Sequence, residues 1–312
     1  MSVYTQVSQA QLVDFIADYD VGALLNYQGI LAGIENTNFF VTTDKGQFVL
    51  TIFEQLNAKE LPYFLEVMAY FSNHKIPSAD PVADKNGQYL RELNGKPTAL
   101  VHRLTGRGVA QPNAQQCASL AINLAKMHQV SPDCPAFRQH ERGLDWCRTT
   151  ANQVMPRLNE DEKNLLNSEL AYQSQQDLSH LAVGVIHADL FRDNALFEGD
   201  ELRGIIDFYY ACNHYLLYDV AITVNDWCID AGKINDTRLN AFLSHYQQIH
   251  PFTDAEKQVW SILLRRAALR FWLGRLLELH FPRGNEDALT HVKDPRVLQT
   301  ILERHISHPQ QI

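Results

Sequence analysis

The sequence predicts an α+β chain of two domains, a β-rich first and a mainly helical second. Three observations carry that expectation. The chain has 312 residues, too many for one small module when domains usually run about 100–200 residues. Residues 38–104 concentrate β-branched and aromatic runs between short turn signals, as an antiparallel sheet does. Beyond Gly106-Arg107-Gly108-Val109-Ala110-Gln111-Pro112, apolar residues recur at helical spacing instead. That Gly- and Pro-bearing stretch reads as a linker, so the expected domains are 1–105 and 106–312.

The elements follow in order. Ser8-Gln9-Ala10-Gln11 is a capping box that opens a helix reaching about Tyr19. Residues 38–43 and 47–53, with Asp44-Lys45-Gly46 between them, predict a hairpin. A helix is expected over 59–75, with Pro62 in the first turn, where its missing N–H is harmless. Residues 82–93 predict a second hairpin turning at Lys85-Asn86-Gly87, and 98–104 a further strand. In the second domain Asn113 caps a helix with Gln116 at its third position. Cys117, Leu120, Ala121, Leu124 and Met127 mark its buried face. Residues 145–182, and the chain from Thr237 onward, also read as helical.

Composition limits the partners. Twenty-seven basic and 36 acidic residues give a net charge of −9. A chain this acidic lacks the clustered Lys and Arg that hold nucleic acid or an anionic membrane surface, so neither partner is expected. No apolar run approaches the length of a membrane-spanning helix. The opening Met1-Ser2-Val3-Tyr4-Thr5-Gln6 has neither the basic nor the apolar region of a signal peptide. Five cysteines without a CxxC pair argue against a zinc ribbon and for reduced thiols packed as core residues, so the chain is expected to be cytoplasmic. P-loop, H-E-x-x-H and G-x-S-x-G patterns do not occur.

The chemistry concentrates in residues 183–220. Two apolar strands, 194–197 and 204–206, flank a turn at Glu198-Gly199-Asp200. Asp189 precedes Asn194 by five positions, and Asp207 follows the second strand. A hairpin here would bring Asn194 and Asp207 together at its open end, as one amide oxygen and one carboxylate suited to Mg²⁺. Asp189, on the preceding loop, is placed to accept a proton from a hydroxyl. An isolated D-x4-N is more often just a turn, because Asp and Asn bond their own backbone. The whole series changes that balance: H-x-D-x4-N, then a β-turn, then apolar-apolar-Asp-Phe.

That series resembles the kinase-like phosphotransferases, with Asp207-Phe208-Tyr209 in place of a D-F-G metal motif. The His187-Ala188-Asp189 form and the missing Gly are similar to the aminoglycoside phosphotransferase/choline kinase group. Within it, several stretches resemble the homoserine kinases: Ile186 to Phe191, Asp193-Asn194, Ile206 to Tyr209, Ala211-Cys212-Asn213 and Tyr218-Asp219-Val220. So do Tyr19-Asp20-Val21-Gly22, Gly33 to Phe39 and Leu50-Thr51-Ile52-Phe53-Glu54. The resemblance implies a protein-kinase-like bilobal fold, with a small antiparallel-sheet N-lobe for the nucleotide and a larger, mainly helical C-lobe. It implies ATP and Mg²⁺ as cofactors and L-homoserine as the small-molecule substrate. Another small alcohol (choline, an aminoglycoside or a sugar) stays open as the acceptor, as does a catalytically idle binding protein.

By resemblance, Asp189 is the catalytic base, and Asn194 and Asp207 hold the metal. A phosphate-covering loop would occupy residues 29–39, with Gly33, Asn36 and Asn38 approaching the nucleotide. Arg192 would neutralise phosphate charge or else sit in an ion pair. His187 would shape the loop, and Asp219 would brace it. The place where kinases carry a strand lysine holds Thr51. For the substrate, Arg270 lies in the apolar setting Ala267-Ala268-Leu269-Arg270-Phe271-Trp272, where a buried cation demands an anion. That anion is the substrate carboxylate or a protein acid such as Asp219 or Asp226. Tyr209 and Asp226 are the other candidate substrate contacts.

Overall fold

The computed structural model describes residues 5–30, 36–282 and 293–312. The chain divides into two compact units. The first consists of Met1–Gly108, Cys134–Ala136 and Ala195–Tyr209. Its helix α1 (Gln9–Ala17) starts as expected: the Ser8 side chain accepts the Gln11 N–H, and the Gln11 side chain accepts the Ser8 N–H. Strands β1 (Leu24–Ile30), β2 (Asn36–Thr43) and β3 (Gly46–Phe53) follow, then α2 (Leu61–Asn73), β4 (Leu90–Leu93) and β5 (Lys96–His102). The five strands form one antiparallel sheet in the order β1-β2-β3-β5-β4. Along β2, Thr37, Phe39, Val41 and Thr43 are buried while their neighbours are not, the period of two that a half-buried strand shows. Phe39, Val41, Phe48, Leu50 and Ile52 pack with Leu12, Phe15 and Ile16 of α1.

One expected hairpin is displaced. Lys85-Asn86-Gly87 forms only a tight turn, closed by the Gly87 N–H on the Asp84 carbonyl at 2.9 Å. The strand-to-strand turn is Asn94-Gly95, between Leu93 and Lys96. Both residues have positive φ, 54° and 77°, which is what a type I′ hairpin requires and what Asn-Gly supplies.

The stretch Ala195–Tyr209 joins the first unit as a hairpin. The Ile205 N–H reaches the Pro77 carbonyl at 2.7 Å, and Arg107 and Phe197 exchange backbone bonds of 3.0 and 2.9 Å. Gly106 makes that approach possible. Its φ is +94°, and a Cβ there would stand 2.9 Å from the Phe197 backbone. Phe208, fully buried, packs on Phe71 of α2.

The second unit is Val109–Asp133, Phe137–Asn194 and Tyr210–Ile312. Asn113 and Gln116 form the expected capping box of α3 (Ala114–Val130), and the five expected apolar positions are fully buried. Then come α4 (Leu144–Val154), α5 (Glu160–Ser174) and β6 (Val183–Ile186). The hairpin strands already placed are β7 (Ala195–Glu198) and β8 (Glu201–Ile205). They are followed by β9 (Cys212–Tyr215), which pairs antiparallel with β6, and by α6 (Leu216–Trp227). A short pair, β10 (Ile229–Asp230) and β11 (Lys233–Ile234), leads to α7 (Asp236–Ile249), α8 (Asp254–His280) and α9 (Arg296–Ser307). Leu269, Trp272, Leu273 and Leu276 of α8 meet Ala151 and Val154 of α4 and Leu298, Ile301 and Leu302 of α9. Truncating a fully buried leucine such as Leu269 to Ala would cost about 2–5 kcal/mol. Every residue of α6 except Asp226 is buried, so this helix is the fixed post beside which the loop after β6 is built. All five cysteines are free thiols, and four are buried. Among the described residues no helix is long and apolar enough to cross a membrane.

Candidate active site

The loop after β6 carries His187, Ala188 and Asp189. Ala188 has φ +62°, a left-handed conformation that costs a non-glycine residue roughly 1–3 kcal/mol. Asp219, in the first turn of α6 and fully buried, holds it there. Its two carboxylate oxygens accept the His187 and Ala188 backbone N–H groups, each at 2.8 Å. His128 lies 3.2 Å away through Nε2, and its Nδ1 is 2.7 Å from the Tyr246 hydroxyl. Burial by itself would raise the Asp219 carboxyl. The hydrogen bond and positive field of His128 outweigh that, with help from His187, and the group lies below its ordinary value. His187 is fully buried, and its Nδ1 accepts the Asp189 N–H at 3.3 Å. The expected shaping and bracing roles of His187 and Asp219 are therefore visible as contacts.

Asn194 ends the short helical turn Arg192–Asn194. Its Nδ2 donates to the Asp189 carbonyl at 2.8 Å and to the Asp189 carboxylate at 3.3 Å. The amide nitrogen is thus turned toward Asp189 and its oxygen away. Arg192 and Asp226, expected at phosphate and substrate respectively, are joined to each other. Asp226 Oδ2 accepts the Arg192 N–H at 2.8 Å and Nε at 3.0 Å, and Oδ1 accepts Nη2 at 3.3 Å. Arg192 Nη1 also donates to the Ala110 carbonyl at 2.7 Å. The ion-paired reading of Arg192 is the one the geometry realises. Trp227 pins the same loop, its Nε1 donating to the Leu190 carbonyl at 3.1 Å.

In the first unit, Asp207 is exposed at the end of β8 with φ +64°. The pairing of Ala195 with Ile205 closes the hairpin at that end. Tyr209 stands edge-on to Phe53 and Phe64, with ring centroids 5.2 and 5.8 Å apart, and shares a hydrogen bond with Thr51. Burial, then the nearby Asp207, pushes its hydroxyl well above the ordinary range. Those partners hold Tyr209 as a wedge within its own unit, where it keeps partial exposure. Thr51 also donates to Asn38 Oδ1 at 2.8 Å. Asn36 and Asn38 belong to β2, paired with Phe53 and Thr51 of β3, not to a loop over 29–39. The ladder reaches further than the Gly/Asn-rich composition suggested. Gly33 lies outside the described residues. A lysine near this sheet end is Lys96. It bonds Glu54 and also donates to Thr5 Oγ1 at 2.9 Å, while Glu54 accepts from Thr5 and Thr37, each at 2.7 Å. The Lys96 bond and those two hydroxyls offset burial and hold the Glu54 carboxyl below its ordinary value.

Arg270 is 4% exposed on α8, 3.7 Å from the Phe271 ring centroid and 5.7 Å from that of Tyr210. Neither acid suggested by the sequence pairs with it, since Asp219 serves the loop backbone and Asp226 serves Arg192.

Comparison with known proteins decides the family. Residues 26–252 match the phosphotransferase enzyme family. The chain belongs to that family. Relatives named homoserine kinase extend over essentially the whole chain. The one from Methylobacillus flagellatus is 47% identical and covers 100% of this chain and 98% of its own. The one from Methylobacillus glycogenes is 43% identical with the same coverage, and that of Paraburkholderia xenovorans is 41% identical, covering 98% and 96%. Among solved structures, an amicoumacin kinase in complex with AMP-PNP, Ca²⁺ and Ami superposes with a TM-score of 0.71 at 17% identity, covering 96% of this chain and 94% of its own. A spectinomycin phosphotransferase in complex with ADP and spectinomycin gives 0.68 at 12%, covering 95% and 98%. The expected kinase-like α+β fold, with its small antiparallel-sheet lobe and larger helical lobe, is the fold of this phosphotransferase.

Reading the sequence missed three contributors to the site. His128 and Tyr246 stand behind Asp219, yet they lie 91 and 27 positions from it (219 − 128 and 246 − 219) in helices whose pattern announces only core. Arg142 was missed as well. It precedes α4 in a polar run, but in this phosphotransferase its guanidinium lies 4.4 Å from the Tyr210 ring centroid.

Proposed function

We propose that the chain transfers the γ-phosphoryl group of ATP to the side-chain hydroxyl of L-homoserine, forming O-phospho-L-homoserine. The observation that carries the reading is the near-full-length likeness to relatives of that name. The geometry around Asp189 supports it. In this reading Asp189 accepts the hydroxyl proton as the oxygen attacks phosphorus. Asn194 fixes the Asp189 carboxylate through Nδ2, and Asp219 fixes the turn that aims it. Phosphoryl transfer depends chiefly on position and charge neutralisation, so a rigid loop is what the reaction needs.

The residues present fit Mg²⁺. Among the described residues no three His, Cys, Asp or Glu side chains gather into a metal cluster, and Mg²⁺ is typically held by one or two protein oxygens plus phosphate and water. The Asn194 amide oxygen of the second unit and the exposed Asp207 carboxylate of the first are each such a hard donor. Mg²⁺ would neutralise charge on the phosphates. The first unit is read as the nucleotide-binding lobe and the second as the catalytic and substrate-binding lobe. Arg192 and Asp226 act as a clasp on the catalytic loop, and Lys96, paired with Glu54 on the same sheet, is the basic group read as taking over from the lysine that Thr51 replaces.

A coupled ADP-release assay over homoserine, choline, an aminoglycoside and a sugar tests the reading. Turnover of homoserine above the others is expected. Preference for another alcohol would replace the substrate, and nucleotide binding without turnover of any would favour an idle binding protein.

A further inference from the structure

Three of the four arginines within 265–275 of α8 are matched by protein acceptors. Arg265 pairs with Glu169, Arg266 donates to the Gln173 side chain and carbonyl at 2.9 and 3.2 Å, and Arg275 donates to the Asp294 carbonyl at 3.0 Å. Arg270, almost fully buried, is the exception. Among the described residues it has no carboxylate within ion-pair distance and no protein hydrogen-bond acceptor. A second guanidinium shares its surroundings. Arg142 lies over the Tyr210 ring, its Nη2 is 3.3 Å from the Tyr210 hydroxyl, and it too has no carboxylate partner among the described residues. Tyr210 therefore has two guanidinium groups against one ring, at 4.4 and 5.7 Å from its centroid.

This arrangement is unfavourable by itself. A buried cation is tolerated when paired, and a like charge beside it adds repulsion. Burial foremost, then Arg142, depresses the Arg270 guanidinium, while the Asp189 carboxylate opposes them. The neighbouring imidazoles add no charge. His140 is lowered to about 4 and its stacked partner His214 to about 2, in both cases chiefly by burial, so both are neutral at pH 7. Two cations that face one ring and have no carboxylate at ion-pair distance among the described residues, one of them in the field of the proposed base, describe an anion site. An anion carried by the acceptor alcohol would satisfy it and would set the hydroxyl near Asp189.

We propose that Arg142 and Arg270, spaced by Tyr210, bind the α-carboxylate of the amino-acid substrate and so make the enzyme select an alcohol that bears a carboxylate. This rests on the homoserine reading and goes beyond it by naming Arg142 as a specificity residue. The pair would reject alcohols without a carboxylate by leaving the guanidinium charges uncompensated.

The test is steady-state kinetics of the full chain and its Arg142→Met, Arg270→Met and Arg270→Lys variants. The substrates are ATP, L-homoserine and 3-aminopropan-1-ol, which is homoserine without its carboxylate. Arg142 is only half-buried, so its variant tests the idea even if Arg270→Met fails to fold. Loss of a charge-assisted contact predicts a KM for homoserine raised about ten- to hundred-fold. The KM for ATP should not move, and kcat should stay within a few-fold, the pattern of a lost uniform binding contact. With 3-aminopropan-1-ol the Met variants should do at least as well as the wild type, because the charge left uncompensated by that substrate has been removed. An unchanged homoserine KM in Arg142→Met overturns the assignment while leaving the activity standing. A raised ATP KM assigns the pair to phosphate instead. A wild-type chain that turns over choline or a sugar but not homoserine removes the activity itself, and the carboxylate site with it.

Discussion

Asp219→Asn is the most informative single change. The substitution keeps the shape and removes one acceptor. In the structure both oxygens are used, one by the His187 N–H and one by the Ala188 N–H, each at 2.8 Å, with His128 also on Oδ2. An asparagine can offer an oxygen to only one of those N–H groups, and its NH₂ must confront the other donor. The site is fully buried, so water cannot compensate. Disrupting a buried charged network in this way costs about 3–5 kcal/mol. At about 2–4 °C per kcal/mol for chains of this order, the melting temperature should fall by about 6–20 °C. Activity should fall further than folding alone explains, because the left-handed Ala188 turn that aims Asp189 loses its anchor. A misplacement of about 1 Å can reduce turnover about a hundred-fold. The acid limb supplies an independent sign. The folded-state carboxyl is held below its ordinary value of 3.8. Its stabilising contribution is therefore present above 3.8 and lost as pH falls through the lower folded value, and Asp219→Asn should lack that part of the acid transition. Thermal melts by circular dichroism and kcat by ADP release measure both effects. A variant that melts with the wild type and turns over at its rate would refute the bracing role.

Asp189→Ala and Asp207→Ala should fold normally and lose phosphoryl transfer, by at least about 10²–10⁴-fold for the base; full-rate Asp189→Ala would remove it as the proton acceptor. Arg192→Ala and Asp226→Ala should each slow turnover, and the double variant should be little worse than either single one. The double-mutant cycle should return about 0.5–3 kcal/mol of coupling, and additive effects would mean the two residues act separately. His305, with Nε2 at 2.7 Å from Asn225 Oδ1, is lowered from 6.5 to about 4 by burial and then by Arg265 and Arg304. Stability should therefore be complete above pH 6.5 and decline as pH falls toward about 4. A His305→Leu chain whose melting temperature changes as steeply with pH as the wild type's would contradict this.

What was legible in the sequence was local. The capping boxes at Ser8 and Asn113 and the hairpin ending at Asp207 declare themselves within a few residues, because side chain and backbone partner are neighbours. The Lys85-Asn86-Gly87 turn misled because its composition equals that of a hairpin, whereas the two positive-φ residues sit at Asn94-Gly95. Within the site, Asp189, Asn194 and Asp207 stood out by spacing. Their supports did not, since no period links His128 to Asp219 or Arg142 to Tyr210. Asp226 and Arg192 were visible as charged residues, yet their attraction for each other is a property of the turn that faces them together. Asn36 read as a loop residue by type, and Asn38 as both the start of a strand and part of the loop; the ladder with β3 shows both to be strand.

The first unit is not contiguous in the chain, and this bears on how the protein is made. Its sheet is complete by His102, but Phe71, Pro77 and Gly106 also have partners in Ala195–Tyr209. During synthesis from the N-terminus, the sheet would emerge with one flank uncovered while most of another hundred residues are added. A fragment ending at Gly108 should accordingly expose Phe71 and bind chaperones or aggregate. Supplying the hairpin as a separate peptide should protect it. The same short segment that bears Asp207 is thus the closing piece of the unit folded first.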